Sequence, residues 1–125
     1  MTQIIRTEKA PEAIGPYSQA ILSNNTLYCS GQIAVNHETG DLVMDNITNE
    51  TTQVMKNISE VLKAADMDFS NVVKCSIFMK SMDDYAEINK VYALSFINNP
   101  PAREAVEVSA LPKNVNVEIS VIAVK

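Results

Sequence analysis

The chain has 125 residues, of which 46% are hydrophobic and 20% charged, with a formal net charge of −5 at pH 7. These values fit one soluble globular domain over residues 1–125, and no apolar run approaches the roughly 20 residues that a membrane helix needs. The excess of acids repels phosphate at long range, so nucleic acid is disfavoured as a partner. The first 15 residues carry acids among their bases and lack a continuous apolar core, which predicts a cytoplasmic protein.

The first elements along the chain are two short strands in "QAILSNNTLYCSG". They flank Ser23, Asn24 and Asn25, and asparagine tolerates the left-handed backbone of a tight hairpin. A second turn is predicted in "VNHETGDLV", where His37 is interpreted as a solvated loop residue. Two free, core-packing thiols are predicted at Cys29 and Cys75, and a zinc site lacks ligands because the chain has one histidine.

Helical and strand periodicities alternate in the second half of the chain. Apolar residues at the spacing of one helix face predict a helix over about residues 47–65. The alternation in "NVVKCSIFMK" predicts a half-buried strand whose inner side carries Val73, Cys75, Ile77 and Met79. A second helix should begin after a capping-box variant, Ser81 with Asp84, and end at Pro100-Pro101. Its apolar stripe consists of Tyr85, Ile88, Tyr92 and Phe96. Strands are predicted over residues 104–108 and 115–124.

The order β-β-β-α-β-α-β-β predicts an α+β fold, with two helices covering one face of a mixed six-stranded sheet. The last strand places Glu118, Ile122 and Val124 on the uncovered face. This is more apolar surface than a water-exposed sheet face usually has, so we expect another subunit to cover it.

Two polar residues lie where polar groups are costly. Asn89 falls on the apolar stripe of the second helix, so its amide must either tie down a neighbouring backbone or contact a ligand. Arg103 follows the stiff Pro-Pro turn at the start of a strand. One interpretation is an ion pair with Glu107 or Glu118. The other is a small acid, because a guanidinium binds a carboxylate through two parallel hydrogen bonds.

Several motifs together resemble the RidA (YjgF-type) family across essentially the whole chain. They are "APEAIGPYSQA", "LYCSGQIAVNHETG", "NVVKCSIFMKSMDDYAEINKVY" and "PPAREAVEVSALPKNVNVEISVIAV". The resemblance implies a chorismate-mutase-like α+β fold that assembles as a homotrimer, with a ligand cleft at each subunit interface. It also implies hydrolysis of small 2-imino acids, such as 2-iminobutanoate and 2-iminopropanoate, to 2-keto acids and ammonia without a cofactor or metal.

The resemblance also implies roles for individual positions. Arg103 would bind the substrate carboxylate, and Glu118 would activate water or relay a proton to the nitrogen. Four positions would line the cleft: Tyr17, Ser30, Gly31 and Asn89. Structural interpretations remain open, since Tyr17 could pack a loop, Ser30-Gly31 could be a strand end, and Glu118 could form an interface salt bridge.

Two departures from the family pattern bear on this assignment. The resemblance implies that Ala105 is also a substrate-binding position, although many members have cysteine there. A mechanism that needs this thiol as a nucleophile is therefore unavailable. If the position acts through its backbone, alanine serves equally well. The loop "SFINNPPAR" is short and has Pro100 in place of a frequent aromatic residue, which should reshape the cleft.

Two other functions compete with imine hydrolysis: a non-catalytic module that binds small carboxylic acids, and a ribonuclease or translation inhibitor.

Overall fold

The computed structural model describes residues 2–125, which form six strands and two α-helices. In chain order these are β1 (Thr2–Ile5), β2 (Ala20–Ser23), β3 (Thr26–Cys29), α1 (Ile47–Ala64), β4 (Val72–Met79), α2 (Tyr85–Ala93), β5 (Ala102–Glu107) and β6 (Val117–Val124). Short 3-10 turns occupy Phe69–Asn71, Met82–Asp84 and Pro112–Asn114. No helix in this part of the chain combines the length and apolar character needed to cross a membrane.

The strands form one sheet in the order β1-β2-β3-β6-β4-β5. Only β4 and β5 are parallel, and the other neighbouring strands are antiparallel. Side chains on one face, such as Cys75 and Ile119, are fully buried with the helices in a single core. The predicted α+β fold, with six strands and two helices on one face, is therefore confirmed.

The predicted hairpin is confirmed, and beside it lies the sixth strand of the predicted sheet, to which no residues were assigned from the sequence. Ser23 pairs with Thr26, and Asn24 has the left-handed φ of 56° that the turn requires. This strand is β1, which pairs antiparallel with β2. Of its four residues only Ile5 is buried, so its sequence lacks the alternation that identifies a strand.

Helix α1 closely matches its prediction. Asn46 caps it, since its side chain accepts a hydrogen bond from the Asn49 backbone N–H at 2.8 Å. The helix ends at Ala64, and Asp66 then adopts a φ of 57°, which turns the chain out of the helix.

Strand β4 contains an irregularity that corrects one predicted position. Val73 was expected on the buried side with Cys75, but it is 49% exposed. The pairing register of β4 with β6 shifts between Val72 and Lys74, so Val72 points into the core in place of Val73. A β-bulge of this kind inserts one residue and reverses the side-chain alternation before it.

Helix α2 begins near its predicted start but ends much earlier than predicted. The Ser81 side chain accepts from the Asp83 N–H at 3.1 Å and opens a 3-10 turn, and α2 follows from Tyr85. The helix ends at Ala93, not at Pro100-Pro101. Phe96 remains buried and packs against Tyr92 with ring centroids 4.7 Å apart, so the apolar stripe continues beyond the helix.

The sheet face opposite the helices, which we call the open face, is partly apolar. The alternation predicted for β6 is confirmed, because every second side chain from Val117 is buried and the others are accessible. Large apolar residues of the open face have substantial exposed fractions: Tyr28 51%, Val106 40% and Val124 37%. A face of this composition is suited to contact another protein surface.

Candidate functional site

Arg103 projects from the helix-covered face of β5 toward α2. Its Nη1 donates a hydrogen bond to Asn89 Oδ1 at 2.6 Å, and its Nη2 donates to the Tyr85 hydroxyl at 2.8 Å. The guanidinium carbon also lies 4.9 Å from the ring centroid of Tyr92 and 5.7 Å from that of Tyr85. We call these three α2 side chains, Tyr85, Asn89 and Tyr92, the α2 clamp.

The positive charge of Arg103 has no acidic partner within residues 2–125. The ion pairs in this part of the chain are Lys63–Glu60, Lys74–Glu104 and Lys90–Glu87. The predicted alternative of an ion pair with Glu107 or Glu118 is therefore wrong for the single chain. Glu107 instead accepts a hydrogen bond from the Met82 N–H at 2.9 Å. Since a guanidinium has five N–H donors and two are used, the half-buried Arg103 keeps both its charge and donors for an anion.

Asn89 and Tyr85 differ from what the sequence indicated. Asn89 was expected to tie down a backbone or to contact a ligand, and in the structure its amide oxygen holds Arg103. Tyr85 was assigned only to the apolar stripe, so its hydrogen bond to Arg103 was missed. The available signal was spacing, because Tyr85 and Asn89 are four residues apart and share one helix face.

Glu118 lies on the open face of β6, beside Gly31. Backbone hydrogen bonds between Gln32 and Ile119, at 2.8 and 3.1 Å, bring the two segments together. A Cβ added at Gly31 would overlap Oε2 of Glu118 and lie 2.9 Å from its Cδ. Only glycine leaves room for the carboxyl in this position. Burial raises the pKa of Glu118 above its ordinary value, so this carboxyl holds its proton more strongly than an exposed one.

Glu118 borders an open groove of about 650 Å³ on the same side of the molecule. Its lining comprises Glu12, Ile14, Tyr17, Ser30, Gly31, Ile33, Val35, Pro112, Lys113 and Glu118. Four predicted site residues, Tyr17, Ser30, Gly31 and Glu118, therefore come together here. The groove is mainly apolar, and its charged lining residues are Glu12, Lys113 and Glu118.

The loop that carries Tyr17 is anchored by buried polar contacts. Ser30 Oγ donates to the Ser18 carbonyl at 2.5 Å. Gln19, which is 4% exposed, accepts from the Thr7 N–H at 2.7 Å and donates to the Pro11 carbonyl at 2.8 Å. These bonds hold both ends of the loop against the sheet, so the predicted loop-packing role belongs to Ser18 and Gln19, while Tyr17 itself is 53% exposed.

The fully buried Glu50 side chain holds the segment that leads from the Lys113 turn into β6. Glu50 in α1 accepts hydrogen bonds from the backbone N–H and the side-chain Nδ2 of Asn116, each at 2.8 Å. Asn116 follows the turn that carries Lys113 and leads into β6, so Glu50 helps to position both. Neither Glu50 nor Gln19 was identified from the sequence. For Glu50 a signal existed, because it lies four residues before buried Val54 in α1.

Arg103 and Glu118 lie on opposite faces of the same sheet. Arg103 pairs with Cys75 of β4, whose side chain is buried beneath the helices. Glu118 pairs with Phe78 of β4, whose side chain has the opposite orientation. Ala105 accompanies Arg103 on the helix-covered face, where it packs against the core. One chain therefore carries two separate groups of candidate residues: Arg103 with the α2 clamp on the helix-covered face, and the groove around Glu118 on the open face.

Comparison with known proteins assigns the chain to a family. The model of the endoribonuclease L-PSP family matches residues 7–125. The chain belongs to this family, which includes the RidA (YjgF-type) proteins. A 2-iminobutanoate/2-iminopropanoate deaminase of Homo sapiens is 45% identical over 98% of this chain and 90% of its own length. A protein of Lactococcus lactis named as a regulator, AldR, is 50% identical over 97% of this chain and 96% of its own.

Solved structures agree with this assignment. A Yersinia pestis member of the Rid family, YyfA, superposes with a TM-score of 0.97 at 48% identity and covers all of both chains. The resemblance to RidA proteins that the motifs indicated is therefore confirmed, and so is the fold that it implied. The L-PSP family thus contains proteins named as deaminases, regulators and endoribonucleases.

Proposed function

We propose that this protein hydrolyses small 2-imino acids to 2-oxo acids and ammonia, at sites shared between subunits of a homotrimer. The observation that carries the proposal is Arg103, a guanidinium held by neutral groups with its charge and donors free for a carboxylate. The deaminase name of the human relative supports the reaction class.

We propose that two subunits share each site because the side chains of Arg103 and Glu118 lie on opposite faces of the sheet within one chain. In the proposed assembly, Arg103 of one subunit meets the groove containing Tyr17, Ser30, Gly31 and Glu118 of the next. The exposed apolar residues of the open face support this arrangement, because assembly would remove them from water. Each site would then have a cation for the carboxylate and a carboxyl group for proton transfer.

Imine hydrolysis requires orientation and proton transfer but no metal or redox cofactor. Arg103 binds the substrate carboxylate and places C2 of the protonated imine near Glu118. Ionised Glu118 takes a proton from water as the water oxygen attacks C2, which gives a carbinolamine. The protonated Glu118 then delivers a proton to the nitrogen. The C–N bond breaks and ammonia leaves as the carbinolamine hydroxyl gives its proton to Glu118 and becomes the 2-oxo group, and Glu118 releases this proton to water or ammonia before the next turnover. The raised pKa of Glu118, together with its position in the groove, suits a group that both accepts and donates a proton during the reaction.

The remaining predicted residues have supporting roles in this proposal. Gly31 leaves space for the Glu118 carboxyl, Ser30 anchors the loop before the groove, and Tyr17 on that loop contributes an apolar wall. Asn89 holds Arg103. The Ala105 backbone is proposed to line the substrate site next to Arg103.

A second candidate is a non-catalytic protein that binds a small carboxylic acid in the same cleft. The relative named as a regulator favours this alternative. It needs Arg103 but does not need Glu118 for proton transfer. Ligand binding that survives Glu118→Gln, together with no turnover by the unmodified protein, would establish it. Cleavage of RNA that depends on Glu118 would instead support the endoribonuclease description of the family.

The direct test is to generate 2-iminopropanoate or 2-iminobutanoate in situ and follow its disappearance. We expect the unmodified protein to accelerate the decay and Arg103→Ala to abolish most of the acceleration. Equal decay with and without the protein would contradict the proposal.

A further inference from the structure

Tyr85 provides the second fixed contact to the Arg103 guanidinium. It is the first residue of α2, where the helix follows the turn capped by Ser81, so backbone structure defines its position. Its hydroxyl oxygen accepts from Arg103 Nη2 at 2.8 Å, while Asn89 accepts from Nη1 at 2.6 Å. Both acceptors are neutral and are borne by one rigid element.

The three contacts of the α2 clamp restrict different motions of the guanidinium. The ring of Tyr92 lies against the guanidinium and supports it, but such a contact alone permits the group to rotate in its own plane. A single hydrogen bond to Asn89 still permits rotation about that contact. The bond to Tyr85, on the other terminal nitrogen, removes this freedom.

We propose that Tyr85 is a positioning residue that fixes the orientation of Arg103 for a substrate carboxylate. A long arginine side chain loses rotamer entropy when it orders around a ligand, and a group ordered in advance avoids that loss on binding. Because the phenol is neutral, it orders the guanidinium without cancelling its charge. The inference rests on the proposed function, since the carboxylate is that of the imino acid.

The matched variant is Tyr85→Phe, which removes the hydroxyl and keeps the ring. Arg103 contacts the carboxylate both before and during reaction, so we expect KM for 2-iminopropanoate to rise about five- to tenfold while kcat changes less than about threefold. Tyr92→Phe serves as the comparison, because Tyr92 contacts the guanidinium with its ring, which the change keeps, and its hydroxyl makes no hydrogen bond of normal geometry to Arg103 within residues 2–125. Its effect on KM should be clearly smaller than that of Tyr85→Phe.

A binding measurement separates this inference from the proposed function. Calorimetric titration with the product-like acid 2-oxobutanoate should show Kd raised about five- to tenfold in Tyr85→Phe, with an unchanged thermal unfolding midpoint. If the unmodified protein binds 2-oxobutanoate in a Tyr85-dependent way but hydrolyses no imine, the positioning role stands and the deaminase proposal fails. Unchanged KM and Kd in Tyr85→Phe, or losses that parallel a lower unfolding midpoint, would overturn the positioning role.

Discussion

Asn89→Asp tests whether the neutral character of the Arg103 contacts matters for function. Aspartate has nearly the shape of asparagine, and its carboxylate can accept the same hydrogen bond that Asn89 Oδ1 accepts at 2.6 Å. The bond itself should become stronger, because charge-assisted hydrogen bonds exceed neutral ones. The free charge of Arg103, however, would be largely cancelled by the new acid.

The expected loss can be worked from Coulomb's law. A substrate carboxylate on the far side of the guanidinium would lie about 7 Å from the new acid, and at an effective dielectric constant of about 20 to 40 the repulsion is about 1 to 2 kcal/mol. We therefore expect KM to rise about five- to thirtyfold, since 1.4 kcal/mol corresponds to about a factor of ten.

The assay is steady-state hydrolysis of 2-iminopropanoate generated in situ, with unfolding measured in parallel. Asn25→Asp is the matched control, because Asn25 is exposed in the β2–β3 turn and the change adds the same charge away from Arg103. If the contacts serve only to hold Arg103 in place, Asn89→Asp should bind substrate as well as or better than the unmodified protein. That result would refute a requirement for an uncompensated cation.

Three further changes probe the groove and its supports. Gly31→Ala should displace the Glu118 carboxyl and lower kcat about as much as Glu118→Gln does. In Gly40→Ala the added Cβ meets nothing within 4 Å but the φ of 79° is unfavourable for alanine, so this control should lower the unfolding free energy and leave kcat unchanged. Equal activity of Gly31→Ala and the unmodified protein would contradict the role of Gly31. Glu118→Gln should raise the unfolding free energy at pH 7, because burial raises the pKa of this carboxyl in the folded chain and its ionisation therefore opposes folding. This increase in unfolding free energy should become smaller as the pH falls through the pKa of Glu118 in the folded chain, and it should vanish below the ordinary value of 4.5. Urea titrations at several pH values that show the same difference between Glu118→Gln and the unmodified protein would exclude ionisation of Glu118 as its cause. Gln19→Leu should lower the unfolding free energy by about 1 to 3 kcal/mol, because partly buried backbone groups of Thr7 and Pro11 lose their partner. A change below about 0.5 kcal/mol, measured at fixed protein concentration, would show that water replaces the amide.

Strong periodicity made some of the fold predictable from the sequence. Helix α1 and strand β6 have sustained repeats, and both were identified with errors of no more than two residues at each end. The register shift that exposes Val73 could not be predicted, because a bulge depends on pairing with β6. Nor could β1, whose short segment becomes a strand only by pairing with β2.

The candidate site was also only partly predictable from the sequence. Arg103 was recognisable from its position after two prolines, but its partner Tyr85 was hidden, because a tyrosine fits an apolar stripe equally well. The separation of Arg103 from Glu118 depends on how β5 and β6 align with β4, and alternation within each strand does not specify that alignment. The contact between Gly31 and Glu118 likewise depends on the backbone bridge beside it.

Subunit complementation tests the sharing of sites most directly. Arg103→Ala and Glu118→Gln should each be inactive alone, and the two proteins should be unfolded together and refolded as a mixture. Random mixing would place an intact Arg103 opposite an intact Glu118 in about a quarter of the interfaces, so about a quarter of the unmodified activity should return. If oligomers that contain both variants form but are as inactive as each variant alone, a site built from two subunits is contradicted.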